Sequence, residues 1–224
     1  MVSAVIAAGG KGKRMGSDVN KIFLPLNGKE IIAHTLSIFE SCCAVNEIII
    51  VAGDTDIDRI KTIIDRIGCK KVSAVTCGGK ERQDSVYNGL LLAKGDFALI
   101  HDAARCLITE EQITAVINDA KKYGAAAVGV KVKDTLKSID ENGNIICTID
   151  RERTVHIQTP QVFLRDEILE LHSQVKNESI AVTDDCAIFE YFGKTVHVTD
   201  GSYDNIKLTT PEDIFIGEQI LKNR

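Results

Sequence analysis

Five short, almost unbroken apolar runs punctuate the first part of the chain: Ser3–Ala7, Glu47–Val51, Lys71–Thr76, Phe97–Ile100 and Ala125–Val130. They are rich in Val, Ile and Ala, as strands buried on both faces of a parallel sheet are. Stretches with helical periodicity lie between them. Lys29–Phe39 puts Ile31, Ile32, Leu36 and Phe39 near one face, and Asp58–Ile67 does the same with Ile60, Ile63, Ile64 and Ile67. Thr109-Glu110-Glu111-Gln112 is a capping box ahead of Ile113, Val116 and Ile117. Strands alternating with helices imply a sheet wound by right-handed crossovers.

The rhythm breaks after Val130. Lys133–Ile139 and Ile145–Ile149 alternate apolar and polar residues around Asp140-Glu141-Asn142-Gly143, a hairpin signal. An isolated two-stranded hairpin is marginal in water, so this arm needs a surface to lie on, and a second subunit is the natural candidate. Helical patterns resume at Asp166–Val175 and Asp184–Phe192. A last helix opens with Thr210-Pro211-Glu212-Asp213: a cap, a proline at the first helical position, then acids. The expectation is one α/β domain over residues 1–224. It has a Rossmann-like, mostly parallel sheet flanked by helices, with a protruding β-hairpin arm at about 132–158.

Composition narrows the class of function. A net charge of −5 argues against a nucleic-acid binder, and no apolar run approaches the roughly 18 residues that span a bilayer. Seven cysteines with no CxxC spacing read as free thiols in a reducing cytoplasm.

Chemistry enters directly after the first strand. Ala7-Ala8-Gly9-Gly10-Lys11-Gly12-Lys13-Arg14-Met15-Gly16 combines glycines, which let backbone N–H groups approach an anion, with three cations. A triphosphate is the guest this suits. The spacing is not that of a Walker loop, because Met15-Gly16 stands where Lys-Ser/Thr would be. Nor is it a dinucleotide fingerprint, since position 15 is not glycine. Further on, His101-Asp102-Ala103-Ala104-Arg105 falls at a strand's C-terminal end, where open α/β sheets bind ligands. An Asp there can hold Mg²⁺ on a triphosphate. Gly78-Gly79-Lys80-Glu81-Arg82-Gln83-Asp84-Ser85 opens a helix with glycines and a hydroxyl suited to polar recognition. On the arm, Arg151 and Arg153 are equally good phosphate forks.

Taken in order, these segments resemble a known family. AAGGKGKRMG followed by Asn20-Lys21-Ile22 is similar to the signature of sugar-phosphate nucleotidyltransferases, with Asn20 and Ile22 where proline and glutamine are usual. GGKERQDSV, HDAAR with Cys106 in place of proline, VKDTLK, QTPQVF, TDD and NIKLTTPED extend the resemblance over nearly the whole chain. Within that superfamily the chain resembles the 2-C-methyl-D-erythritol 4-phosphate cytidylyltransferases, with the ribitol-5-phosphate cytidylyltransferases as the nearest alternative.

The resemblance implies that Ala8, Gly9, Gly10, Gly12, Gly79, Ser85, Ala103 and Thr183 hold the nucleotide of CTP. It implies that Arg105, Thr135, Arg151 and Thr159 grip a small polyol phosphate, with Lys207 on the same phosphate. Arg14 and Lys21 would stabilise the transition state. Asp102 and Asp204 would carry Mg²⁺ or another divalent cation. A cytoplasmic homodimer joined through the β-arm, with neither nucleic acid nor membrane as partner, completes the expectation.

Overall fold

The computed structural model describes residues 1–10, 20–178 and 180–224. The strands are β1 (Val2–Ala7), β2 (Pro25–Leu26), β3 (Lys29–Glu30), β4 (Glu47–Ala52), β5 (Val72–Cys77), β6 (Phe97–Asp102), β7 (Ala125–Lys131), β8 (Lys137–Ile139), β9 (Ile145–Thr148), β10 (Val155–Leu164) and β11 (His197–Asp200). The helices are α1 (Ile31–Ser41), α2 (Ile57–Ile67), α3 (Arg82–Leu90), α4 (Glu110–Tyr123), α5 (Arg165–Asn177), α6 (Asp185–Tyr191) and α7 (Pro211–Lys222).

A seven-stranded sheet in the order β11-β7-β10-β6-β1-β4-β5 forms the centre, and only β10 runs antiparallel to its neighbours. From β1 the chain winds outward through β4 to β5, then returns to the other side of β1 to lay down β6. That reversal puts a topological switch point between β1 and β6, where Ala7 pairs with Asp102.

Alternation along the strands builds the two apolar layers. On β1, Val2, Ala4 and Ile6 join Leu36, Phe39, Ile60, Ile113 and Val116 of α1, α2 and α4 on one face. Val5 joins Val86, Leu90, Ile168, Ile188 and Phe189 of α3, α5 and α6 on the other. Helix α3 comes very close to the sheet. A Cβ at Gly89 would stand 2.5 Å from Val5 and 2.8 Å from Val51, so only glycine fits. The capping box expected at Thr109 and Gln112 forms, and Pro211 occupies the first turn of α7 behind the Thr210 cap. All seven cysteines are free, and burial pushes the Cys106 thiol up to about 12.

Four elements differ from the sequence reading. Lys29-Glu30 are not helical: they pair with Pro25-Leu26 around an Asn27-Gly28 turn whose φ values of 47° and 78° suit that dipeptide. The arm's ladder is shorter than expected. Its strands are joined by a loop in which the Asp140 carboxylate accepts from the Asn142 and Asn144 amides at 3.0 and 2.8 Å, in place of a two-residue turn. Strand β10 has no apolar signature, with Gln158, Thr159, Pro160 and Gln161 in its middle, yet it fills a central position. Its pairing with β7 shifts register between Ile157 and Gln161, so the proline falls where the ladder is already interrupted. Strand β11, short and at the sheet's edge, also lacks a clear signal.

Candidate active site

The C-terminal ends of β1, β5 and β6 open onto a cleft of about 420 Å³. Its described lining includes Ala8, Gly9 and Gly10 after β1, Gly79 to Arg82 and Ser85 around the start of α3, and Lys21, Asp102, Ala104 and Lys207. Lys21, Lys80, Arg82 and Lys207 outnumber Glu81 and Asp102, so the described cleft is cationic. A polyanion is its natural occupant.

Each wall has a local cause. Ala8 donates to the Val51 carbonyl at 2.7 Å, which carries the β1 ladder one residue beyond the strand. The Gly79 amide donates to Ser85 Oγ at 3.0 Å, and that hydroxyl donates to the Glu81 carbonyl at 3.0 Å, which fixes the β5–α3 turn. Lys207 arrives on the segment between β11 and α7. This segment is stitched to the sheet by Leu208 N donating to the Ala104 carbonyl at 2.9 Å. Arg105 Nη1 donates to the Asn205 carbonyl at 2.8 Å, and Asn205 Nδ2 to the Thr159 carbonyl at 3.0 Å.

Asp102 is the hub. Lys207 Nζ stands 2.7 Å from its Oδ2, Arg82 Nε 3.3 Å from its Oδ1, and Arg105 Nε 3.9 Å from Oδ2. Burial opposes the charge on Asp102, but Arg82 first and Lys207 next hold the carboxyl well below the usual carboxylate range. Arg82 continues inward: its Nη1 donates to Asp185 Oδ2 at 2.8 Å. Asp185 is fully buried in the first turn of α6, and its Oδ1 accepts from His172 Nε2 at 3.0 Å. Burial raises the Asp185 carboxyl, and Arg82 with His172 more than offsets it, so the group stays ionised. Gln161 Oε1 accepts the Asp185 and Cys186 amides at 3.1 and 3.2 Å. A row of alternating charge therefore runs from the cleft into the core.

Beneath Asp102 a second chain of bonds fixes the strand end. The Asp102 amide donates to Thr159 Oγ1 at 3.1 Å, and Thr159 Oγ1 lies 3.1 Å from His101 Nδ1. His101 Nε2 faces the Arg105 carbonyl at 3.2 Å, which can only accept, so Nε2 carries the proton and Nδ1 accepts from the threonine. Burial pushes His101 down to about 3, consistent with that neutral ring.

This cationic cleft at a switch point has close counterparts among known proteins. The family model for 2-C-methyl-D-erythritol 4-phosphate cytidylyltransferase (IspD) matches residues 2–223. A Clostridium botulinum (strain Eklund 17B / Type B) protein of that name is 47% identical over 222 residues, covering 99% of each chain. The chain belongs to the 2-C-methyl-D-erythritol 4-phosphate cytidylyltransferase family. Its Alkaliphilus oremlandii relative of the same name is 46% identical, covering 99% of this chain and 95% of that one. Among solved structures, the 4-diphosphocytidyl-2C-methyl-D-erythritol synthase of Anaerococcus prevotii superposes with a TM-score of 0.88 at 32% identity, covering 99% and 96% of the two chains. The chain is thus a nucleotidyltransferase, and this family sets aside the ribitol alternative.

Against the residues the resemblance named, the cytidylyltransferase fold brings Ala8, Gly9, Gly10, Lys21, Gly79, Ser85, Asp102 and Lys207 to one cleft. Gly12 and Arg14 lie outside the described residues. Ala103 is fully buried, and Ala104 faces the cleft in its stead. Thr159 is buried with its hydroxyl committed to Asp102 and His101, so it sits under the site and not on its surface. Arg105 points at Asn205 and Asp102 from a largely buried position. Thr183 is exposed and does not line the cleft; the α6 cap is Asp184, whose Oδ1 accepts from the Ala187 amide at 3.0 Å. Asp204 is also exposed, with its carboxylate 4.0 Å from Arg224, and it too is absent from the lining. Thr135 and Arg151 stand on the exposed arm and are not among the residues lining this chain's own cleft; Arg151 pairs with Glu152 at 3.6 Å.

The sequence reading did not single out Arg82, Asp185, His172 or Gln161. Arg82 was visible inside the Gly-Gly-Lys-Glu-Arg segment. Its partner lies 103 residues away, and nothing local to either residue signals the pairing.

Proposed function

We propose that this chain transfers the cytidylyl group of CTP to 2-C-methyl-D-erythritol 4-phosphate, releasing pyrophosphate and forming 4-diphosphocytidyl-2-C-methyl-D-erythritol, a step of isoprenoid biosynthesis. An oxygen of the acceptor's phosphate attacks the α-phosphorus of CTP. The bond from that phosphorus to the bridging oxygen of the β-phosphate breaks, and pyrophosphate leaves with the electron pair. The nucleophile is already an anion, so no side chain has to remove a proton. The protein's task is to bring two anions together and to stabilise the charge that spreads over the reacting phosphoryl oxygens.

The observation that carries this reading is the cluster of Lys207, Asp102 and Arg82 at the β1/β6 switch point, with Lys21 on the same cleft. Ala8, Gly9 and Gly10 wall the triphosphate's side of the cleft, where Gly9 and Gly10 offer their backbone N–H groups, and the resemblance adds Gly12 to the set. Gly79 and Ser85 border the cytidine, with Ala104 on the wall for which the resemblance named Ala103. Lys21, with Arg14, stabilises the transition state. Lys207 and Arg105 draw in the acceptor's phosphate, and Thr159 serves from beneath by holding the Asp102 end of β6 in place.

Asp102 suits a divalent cation such as Mg²⁺. It is ionised and faces the cleft, and no cluster of three potential metal-ligating side chains exists among the described residues. That donor set fits a hard ion that takes one or two carboxylates and completes its shell with phosphate oxygens and water. Asp102 would hold it, since Asp204, the other carboxylate the resemblance named, is exposed and outside the cleft's lining. The cation supplies charge neutralisation on the phosphates.

Thr135 and Arg151 act on the acceptor, and in this reading the arm of a second copy delivers them. Exposed Ile139, Ile145 and Ile146, each more than 60% accessible, provide the apolar surface for that homodimer. No helix among the described residues is long and apolar enough to cross a membrane.

The test is pyrophosphate release from CTP in the presence of Mg²⁺ with 2-C-methyl-D-erythritol 4-phosphate, beside ribitol 5-phosphate and with ATP and UTP as controls. Release that needs both CTP and the methylerythritol phosphate supports the proposal. Equal release with ribitol 5-phosphate, or with ATP, overturns it.

A further inference from the structure

Lys21 sits on a three-residue 3-10 turn, Lys21–Phe23, and the turn is held at both ends. Ile22 and Phe23 are 2% and 5% exposed and anchor its inner side in the core. The guanidinium of Arg59 on α2 lies 4.1 Å from the centre of the Phe23 ring. At the outer end Asn20 makes three bonds from one side chain. Asn20 Oδ1 accepts from the Ile22 amide at 3.3 Å, which caps the turn. Asn20 Nδ2 donates to the Ala8 carbonyl at 3.0 Å and to Asp56 Oδ2 at 2.8 Å.

Those partners belong to different parts of the site. Ala8 is the last buried residue before the phosphate-facing glycines, and Asp56 is the residue from which α2 starts. Asn20 thus ties the lysine's turn both to the end of β1 and to a neighbouring helix. Its backbone, at φ −57° and ψ 126°, imposes no strain, so the residue type is explained by its side chain and not by its conformation. Asparagine alone offers an acceptor and a two-proton donor at this reach; aspartate would place a second anion against Asp56, and alanine would release all three bonds.

We infer that Asn20 and Asp56 are positioning residues for Lys21: an amide clamp that sets where the lysine's ammonium meets the reacting phosphates. The inference rests on the reading of Lys21 given above. It requires that the clamp act on turnover through Lys21 and leave nucleotide affinity nearly untouched.

A double-mutant cycle tests this. Asn20→Ala should lower kcat about 10- to 100-fold, the scale of a displacement near 1 Å at a reacting centre, with the KM for CTP within about threefold of wild type. Asp56→Asn, which leaves the bonds to Ala8 and Ile22 in place, should cost less, about 3- to 10-fold. In a Lys21→Met background, adding Asn20→Ala should change kcat by less than about twofold, because residues acting as a unit are not additive. A full, additive loss in that background overturns the clamp, as does wild-type kcat in Asn20→Ala. If Lys21→Met itself retains wild-type kcat, the reading of Lys21 fails, and the clamp falls for that separate reason. Thermal unfolding monitors each variant. Where Asn20→Ala does not fold, Asp56→Asn in the two backgrounds carries the same cycle.

Discussion

The cleft and the arm both present charged side chains, but they hold them in opposite ways. In the cleft, Asp102, Arg82, Asp185 and His172 form a continuous row of bonds that ends in the core, and every link is made within one chain. On the arm, Thr135 precedes β8, and Arg151 and Arg153 lie in the 3-10 turn after β9, flanking a ladder whose two strands pair only with each other among the described residues. Burial explains the difference. A charge removed from water must have a partner, so the cleft's geometry is specified by the cost of losing one. An exposed pair is screened and cheap, and the arm's Arg151–Glu152 contact specifies little. In the proposed homodimer the arm takes its order from the second copy, through its exposed isoleucines.

The comparison is broken most severely at Arg82. Arg82→Ala should destabilise the fold by about 3–5 kcal/mol, because two buried carboxylates lose the cation between them. Urea unfolding reads this; a loss below about 1 kcal/mol would mean that the row is no more specified than an exposed pair. Truncation of Arg151 should, by contrast, leave the unfolding midpoint unchanged and raise the KM for the polyol phosphate roughly tenfold or more, as loss of one charged contact to phosphate does.

Smaller, and aimed at the arm, is Ile145→Asp combined with Ile146→Asp. These residues are 65% exposed, so the isolated chain should keep its stability within about 0.5 kcal/mol. The molecular mass measured by light scattering should fall from dimer to monomer, with activity lost in parallel. A monomeric double variant with full activity would show that the arm serves no site but its own.

A separate effect is expected on pH dependence. His101 titrates near 3 in the fold, mainly through burial, and at about 6.5 in an unfolded chain. Below 6.5 the unfolded chain binds a proton that the folded chain refuses. Stability should therefore fall as pH drops from about 6.5 through 3. The depressed carboxyls of Asp102 and Asp185 add a further loss once pH falls below the ordinary Asp range near 4. His101→Gln should flatten the portion between about 6.5 and 4 and leave the more acidic portion in place. An unchanged slope in that window assigns it to other groups.

Much of the fold was legible in residue order. The parallel strands, most of the helices and the capping box at Thr109 follow from local periodicity and local hydrogen bonding, which the structure repeats. The Asn27-Gly28 hairpin was equally legible, but it was hidden by the amphipathic run that begins two residues later. Strand β10 was not legible. Its polar residues are paid for by partners far away in sequence: Gln161 by Asp184 at 2.8 Å and by the α6 amides, and Thr159 by His101. The site divides along the same line. Glycines after a strand and an acid at a strand's end are local signals, and both lie in the cleft. The exclusion of Asp204 and Thr183 from its lining depends on which way loops turn, which no local pattern records.

The sequence alone determined that a glycine-rich segment follows β1, that Asp102 ends β6, and that the chain carries the cytidylyltransferase motifs in order. Those features depend on neighbours within a few residues, where backbone geometry and side-chain reach are already set. Only the tertiary structure decided that Arg82 spans Asp102 and Asp185, that Thr159 works from below, and that Asn20 ties Lys21 to Ala8 and Asp56. Each of those depends on residues brought together by winding the sheet. Burial then makes the pairing obligatory, because a charge or amide left without a partner there costs more than the fold can spare.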